Sequence, residues 1–179
     1  MNVPRSIRNL ALIGFMGTGK TAVGRLVAHQ LGFRFVDTDE LIQARAKKTI
    51  SRIFTEDGEA SFRAWEGRVL EELATADRSV IATGGGLGAQ PGNLSSLKNH
   101  SLVVCLWASP EAIWERVRHQ NHRPLLQTAD PLARIRELLA ERAPSYRQAD
   151  ILVNTDLRSL REVTQQVLFQ FTDARRVAQ

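Results

Sequence analysis

The segment Gly14-Phe15-Met16-Gly17-Thr18-Gly19-Lys20-Thr21 matches G-x-x-x-x-G-K-[ST], and its flanks restrict the fold more than any other feature of the chain. Leu10-Ala11-Leu12-Ile13 is a short apolar run suited to a buried parallel strand. After Thr21, Val23, Leu26, Val27 and Leu31 recur at helical spacing, and Gly32 stands where a helix C-cap belongs. Strand, glycine loop and helix are the setting in which this motif cradles phosphate. Gly14, Gly17 and Gly19 let the loop's N–H groups, with that of Thr18, turn inward toward a nucleotide. The positive end of the new helix, with Ala22 in its first turn, stands behind them. Lys20 can reach the β- and γ-phosphates of ATP, and the Thr21 hydroxyl can ligate Mg2+. Its ammonium is expected near solvent, at the mouth of the loop.

A chain of 179 residues fits one domain, and no linker or repeat divides residues 1–179. Strand candidates around 10–13, 34–36, 80–82, 102–106 and 151–153 alternate with helical patterns near 20–31, 40–46, 59–74, 111–119, 131–141 and 159–171. That alternation predicts an α/β fold of three layers, a five-stranded parallel sheet with helices on both faces. The net charge of +5 is spread among 19 acids, without a run of like charges or a basic patch with interleaved aromatics. A nucleic-acid partner is therefore not expected. No stretch has the length of a membrane span or a signal sequence, so no membrane partner is expected either, and a cytoplasmic location is. The lone Cys105, inside an apolar strand pattern, reads as a core residue rather than a nucleophile.

In open parallel sheets, ligands bind outside the carboxyl ends of the strands. The glycine loop follows the first strand, Asp37-Thr38-Asp39 the second and Thr83-Gly84-Gly85-Gly86 the third, so three unusual segments should converge on one cleft. Of the two acids, one can support Mg2+ while the other orients or deprotonates an acceptor hydroxyl. If the chain stayed extended there, both carboxylates would point the same way. Asp39 could also cap a helix beginning at Glu40. The glycine triplet permits close approach of backbone to ligand. Arg63 and Glu66, three apart on a helix with the apolar stripe Phe62, Trp65, Val69 and Leu73, read by themselves as a solvated salt bridge. Residues 119–129 break helical patterning and suit a lid that would carry Arg123 to the γ-phosphate, with Arg116 in the helix before it. The four histidines receive no role.

Taken together, G-F-M-G-T-G-K-T (14–21), D-T-D (37–39), F-R-x-x-E (62–66), T-G-G-G (83–86), R-P-L-L (123–126) and E-R-x-P-x-Y-R (141–147) resemble the shikimate kinase family over nearly the whole chain. The resemblance implies a P-loop kinase related to the nucleoside monophosphate kinase fold, working as a monomer. Its reaction would move the γ-phosphoryl group of ATP to the 3-hydroxyl of shikimate in aromatic amino-acid biosynthesis. It further implies Mg2+ on Thr21 and, through water, on Asp37, and shikimate hydroxyls on Asp39. The acceptor carboxylate would lie on Arg63 and Arg142, with Glu66 orienting Arg63, and the backbone of Gly84, Gly85 and Gly86 would line the acceptor. Arg123 would act on the phosphates and Arg116 would pack on adenine. The acceptor-binding helical region would span about 39–66. Asn154–Arg158 and the tail after Phe171 match the family pattern loosely and receive no assignment.

A gluconate kinase would share the glycine loop but should not combine D-T-D, F-R-x-x-E and G-G-G. A nucleotide-binding module without transferase activity should show a degenerate loop or lack the acceptor-site acids and arginines, and this chain has them all.

Overall fold

Alternate residues of the first apolar run part to opposite sides of one sheet. In the computed structural model, which describes residues 6–119, 126 and 128–177, strand β1 (Asn9–Ile13) is buried at every position. It lies at the centre of a five-stranded sheet with β2 (Arg34–Asp37), β3 (Ser79–Ala82), β4 (Ser101–Trp107) and β5 (Ile151–Asn154), in the order β2-β3-β1-β4-β5. Every pairing is parallel. A central parallel strand has no polar face, which is why its sequence is a run and not an alternation.

Eight helices connect and flank the strands among the described residues: α1 (Lys20–Leu31), α2 (Thr38–Ala46), α3 (Ile50–Arg52), α4 (Gly58–Leu73), α5 (Pro91–Lys98), α6 (Pro110–Val117), α7 (Pro131–Tyr146) and α8 (Leu160–Val177). Leu10 and Leu12 pack with Val23 and Val27 of α1 and Val163, Val167 and Phe171 of α8. Ala11 and Ile13 face the other way, into a larger core with Ile42, Val69, Leu97, Ile113 and Ile135 from α2, α4, α5, α6 and α7. The result is the expected three layers. Cys105 lies fully inside the second core, and burial pushes its thiol up to about 12, as suits a packing residue. No helix among the described residues is long and apolar enough to cross a membrane.

Several helices depart from the sequence expectation. The helix after β2 begins at Thr38, not Glu40, and its cap is Asp37, not Asp39: Asp37 Oδ1 accepts from the N–H groups of Asp39 (3.0 Å) and Glu40 (3.4 Å). The chain therefore turns at Thr38, and the two carboxylates do not share the direction that an extended strand would give them. Helix α7 continues to Tyr146 although Pro144 lies inside it; only the last turn is affected, where a lost backbone bond costs least. Helix α8 runs on to Val177, held by Phe171, which is fully buried and meets Phe33 edge-on at 5.8 Å. Burying a side chain of that size contributes roughly 1.5–3 kcal/mol. Finally, α5 is too short, and with Leu94 and Leu97 as its buried leucines too weakly patterned, to be found by periodicity. The same holds for α3 and the wide π turn Ile53–Asp57.

Register decides what the strand ends bring together. Leu12 stands opposite both Ala82 and Val104, and Asp37 opposite Ala82, so the segments that follow β1, β2 and β3 leave the sheet at one edge. Arg123 and most of the segment expected to form a lid lie outside the described residues.

Candidate active site

The glycine loop closes over the end of β1. Gly14, Gly17 and Gly19 all have positive φ (134°, 75° and 92°). A Cβ at Gly14 would lie 2.1 Å from the Leu106 carbonyl oxygen, so no other residue fits there. Thr18 turns inward: its hydroxyl donates to the Phe15 carbonyl at 2.8 Å and its side chain is buried, leaving its backbone for a ligand. Gly19 precedes α1, and the first-turn N–H groups, Ala22 included, have no carbonyl within their own helix to accept them. That is the geometry of an anion site.

Lys20 differs from expectation. It is only 9% exposed, and its ammonium is folded onto the loop, donating to the carbonyls of Gly14 and Phe15 at 2.8 Å each. The reason lies in the loop: bending its N–H groups toward a phosphate leaves carbonyls pointing elsewhere, and the nearest cation satisfies two of them. Beside it, Thr21 Oγ1 donates to Asp37 Oδ2 at 3.0 Å. Asp37 thus divides its two oxygens between the cap of α2 and this hydroxyl. Hydroxyl and carboxylate form a hard oxygen pair that fits Mg2+, which takes one or two protein ligands alongside phosphate and water.

Across the cleft, each glycine of the triplet meets one charged side chain. A Cβ on Gly84 would lie 2.3 Å from Asp39 Oδ1, one on Gly85 3.9 Å from Arg142 Nη1, and one on Gly86 3.1 Å from Arg63 Nη1. The sequence points to all six of these residues, and the structure gathers them at one place. Residues it did not single out hold the triplet: the Thr38 hydroxyl accepts from Gly84 N–H at 2.9 Å, and the Tyr146 hydroxyl donates to the Gly85 carbonyl at 2.7 Å. Arg142 donates to that same carbonyl at 3.2 Å, and its guanidinium lies 5.4 Å from the centre of the Phe15 ring.

The Arg63–Glu66 pair is not the solvated bridge that its spacing alone suggests. Glu66 is 1% exposed, and Arg63 Nη1 donates to its Oε2 at 2.8 Å. Burial holds the Glu66 carboxyl above its ordinary value, although the bond from Arg63 and the charges of Arg63 and Arg142 pull the other way. A buried acid of this kind fixes its arginine partner in one position. Phe54 and Phe62 pack beside it with ring centres 4.7 Å apart and planes tilted by 36°.

Arg116 stands on the far side of the glycine loop. It donates to the Gly17 carbonyl at 3.3 Å, to the Thr155 hydroxyl at 2.9 Å and to the Thr155 carbonyl. A recess lined by Gly17, Gly19, Arg116, Thr155, Arg158 and Leu160 opens there. Thr155 and Arg158 went unassigned from sequence. Their place just past the end of β5 was the available signal, since that strand ends at the same edge as the others.

Comparison with known proteins agrees with this geometry. The family model described as shikimate kinase matches residues 16–172. A shikimate kinase of Thermodesulfovibrio yellowstonii is 43% identical over 165 residues, covering 92% of this chain and 95% of that protein. The solved shikimate kinase of Acinetobacter baumannii, in complex with shikimate, superposes with a TM-score of 0.88 at 38% identity, covering 94% of this chain and 95% of that one. A gluconokinase from Sinorhizobium meliloti is similar at a TM-score of 0.67 but only 20% identity, with 97% of this chain and 95% of that one covered, a likeness of fold alone. With the glycine loop, the two acids at the end of β2 and the triplet flanked by two arginines all in one cleft, the chain belongs to the shikimate kinase family.

Proposed function

We propose that the protein transfers the γ-phosphoryl group of ATP to the 3-hydroxyl of shikimate, giving shikimate 3-phosphate and ADP in aromatic amino-acid biosynthesis. One observation carries this reading: an acid and two arginines are ranged along three consecutive glycines, across from a phosphate-binding loop. ATP would lie with its phosphates on Gly14, Gly17, Thr18, Gly19, Thr21 and Ala22, and its base in the recess beside Arg116. Shikimate would place its carboxylate on Arg63 and Arg142 and its hydroxyls toward Asp39 and the backbone of Gly84, Gly85 and Gly86. As the acceptor oxygen bonds to the γ-phosphorus, the bond to the bridging oxygen breaks and ADP leaves with that electron pair. The hydroxyl proton passes to the Asp39 carboxylate. Lys20 turns from the loop carbonyls to the departing charge, and Arg123, on a lid spanning about 119–129, adds a second cation.

Thr21 and Asp37 would hold Mg2+, whose contribution when bound is to neutralise charge on the β- and γ-phosphate oxygens. The proposed working unit is a cytoplasmic monomer of a single domain, residues 1–179, with its acceptor-binding helical region over about 39–66.

Incubation with Mg-ATP and a panel of shikimate, gluconate and nucleoside monophosphates tests the assignment directly. ADP is expected with shikimate only, with the new phosphate on the 3-hydroxyl by NMR. Phosphorylation of gluconate at a comparable rate would replace this reading.

Gly84→Ala supplies a second expected result. The added methyl would meet Asp39 Oδ1, the far end of a side chain that can rotate away. The melting temperature should therefore change little, while displacement of the acid by about an ångström should lower kcat roughly 10- to 100-fold. An unaltered kcat would show that Asp39 need not stand where it does.

A further inference from the structure

Arg63 carries two acids, and they differ in kind. Glu66 is buried, with 2% of its side chain exposed, and takes Nη1. Glu59, one turn earlier on α4, has 66% of its side chain exposed. Its Oε1 accepts from Nε at 3.3 Å and from Nη2 at 2.8 Å, covering the side edge of the guanidinium. Around the glycine triplet the two cations Arg63 and Arg142 thus stand among three carboxylates, Glu59, Glu66 and Asp39. An incoming carboxylate meets no net positive charge there. Glu66 has no water to turn into, but Glu59 does.

We infer that Glu59 is an internal competitor of the acceptor: it occupies one edge of Arg63 while the acceptor is absent and is turned out into solvent when the acceptor carboxylate binds. The inference rests on the reading of Arg63 as a carboxylate clamp. A tethered carboxylate acts at an effective concentration on the order of millimolar. Small anions with nothing but charge to offer do not displace it. A polyhydroxylated acid that also reaches Asp39 and the glycine backbone does. Glu59 is in this sense a specificity-determining residue that acts through Arg63 and touches no reacting atom.

Glu59→Gln and Glu59→Ala, both at an exposed position, test this with shikimate as the probe. Because an exposed ion pair contributes at most about 1 kcal/mol, shikimate should bind about two- to five-fold more tightly to each variant by titration. KM for shikimate should fall with it, and KM for ATP should not follow. The advantage should shrink between about 0.1 M and about 1 M salt, as the Debye length contracts from roughly 10 Å to 3 Å. Loss of a merely structural contact would weaken binding, not tighten it, so a gain missing from either variant overturns the proposal. Arg63→Ala, measured alongside, separates the two layers. If it leaves shikimate binding unchanged, the clamp itself is wrong; if it weakens binding while the Glu59 variants show no gain, the competition alone is wrong.

Discussion

Lys20→Ala is expected to lower kcat by at least about 100-fold, the scale seen when one preorganised charge-stabilising group is removed, while the protein stays folded. The ammonium lies 2.8 Å from two carbonyls of the loop proposed to hold the phosphates, and its proposed task is to follow charge as the γ-phosphoryl group departs. The substitution also leaves the Gly14 and Phe15 carbonyls without this donor. Part of the loss will therefore appear as weaker ATP binding from a less rigid loop. Single-turnover rates at saturating ATP separate the two effects. A rate near that of the parent protein would remove Lys20 from the mechanism, and wholesale loss of the circular dichroism signal would make it a structural residue.

Arg63→Ala is expected to raise the KM for shikimate by at least about thirty-fold, with a far smaller effect on ATP. Truncating one partner of a desolvated, charged hydrogen-bonded pair costs about 2–5 kcal/mol, or roughly thirty- to several-thousand-fold in affinity. A forked, permanently charged guanidinium can give a carboxylate two parallel bonds, so Arg63→Lys should recover only part of the loss. Glu66 complicates the experiment, since without Arg63 it is a buried acid deprived of its partner. The double variant Arg63→Ala/Glu66→Gln removes that orphaned charge and should restore stability without restoring affinity. An analogue of shikimate lacking the carboxylate gives the cleanest comparison. It should be a poor substrate for the parent protein, and Arg63→Ala should penalise it much less. Equal turnover of analogue and shikimate by the parent would rule out the clamp.

The architecture was largely legible along the chain because its signals are local. An apolar run before a glycine loop specifies a buried strand and a helix start, and all five strand candidates lie in the sheet within a residue or two of their expected ends. The carboxyl-end rule then placed three segments at one edge without knowledge of strand order, since it holds for any open parallel sheet. Elements of weak periodicity were not legible: α5 has only two buried leucines, and the turns around α3 have no repeat to detect.

Solvation and approach belong to the tertiary structure, and they set the chemistry of the site. A spacing of three places Arg63 beside Glu66, but only the packing of α4 into the core buries the acid and makes the pair a fixed one. A lysine in a glycine loop announces a phosphate ligand, yet its retreat onto two loop carbonyls follows from where those carbonyls point once the loop is closed. Two acids spaced by two suggest parallel carboxylates, until the cap at Asp37 turns the chain and sends Asp39 to Gly84. Arg142 reaches Gly85 because α7 returns across the sheet edge, and Arg116 reaches Thr155 because β5 ends beside the glycine loop. Motif and period are properties of neighbouring residues, whereas burial, charge balance and reach depend on which elements the core brings into contact.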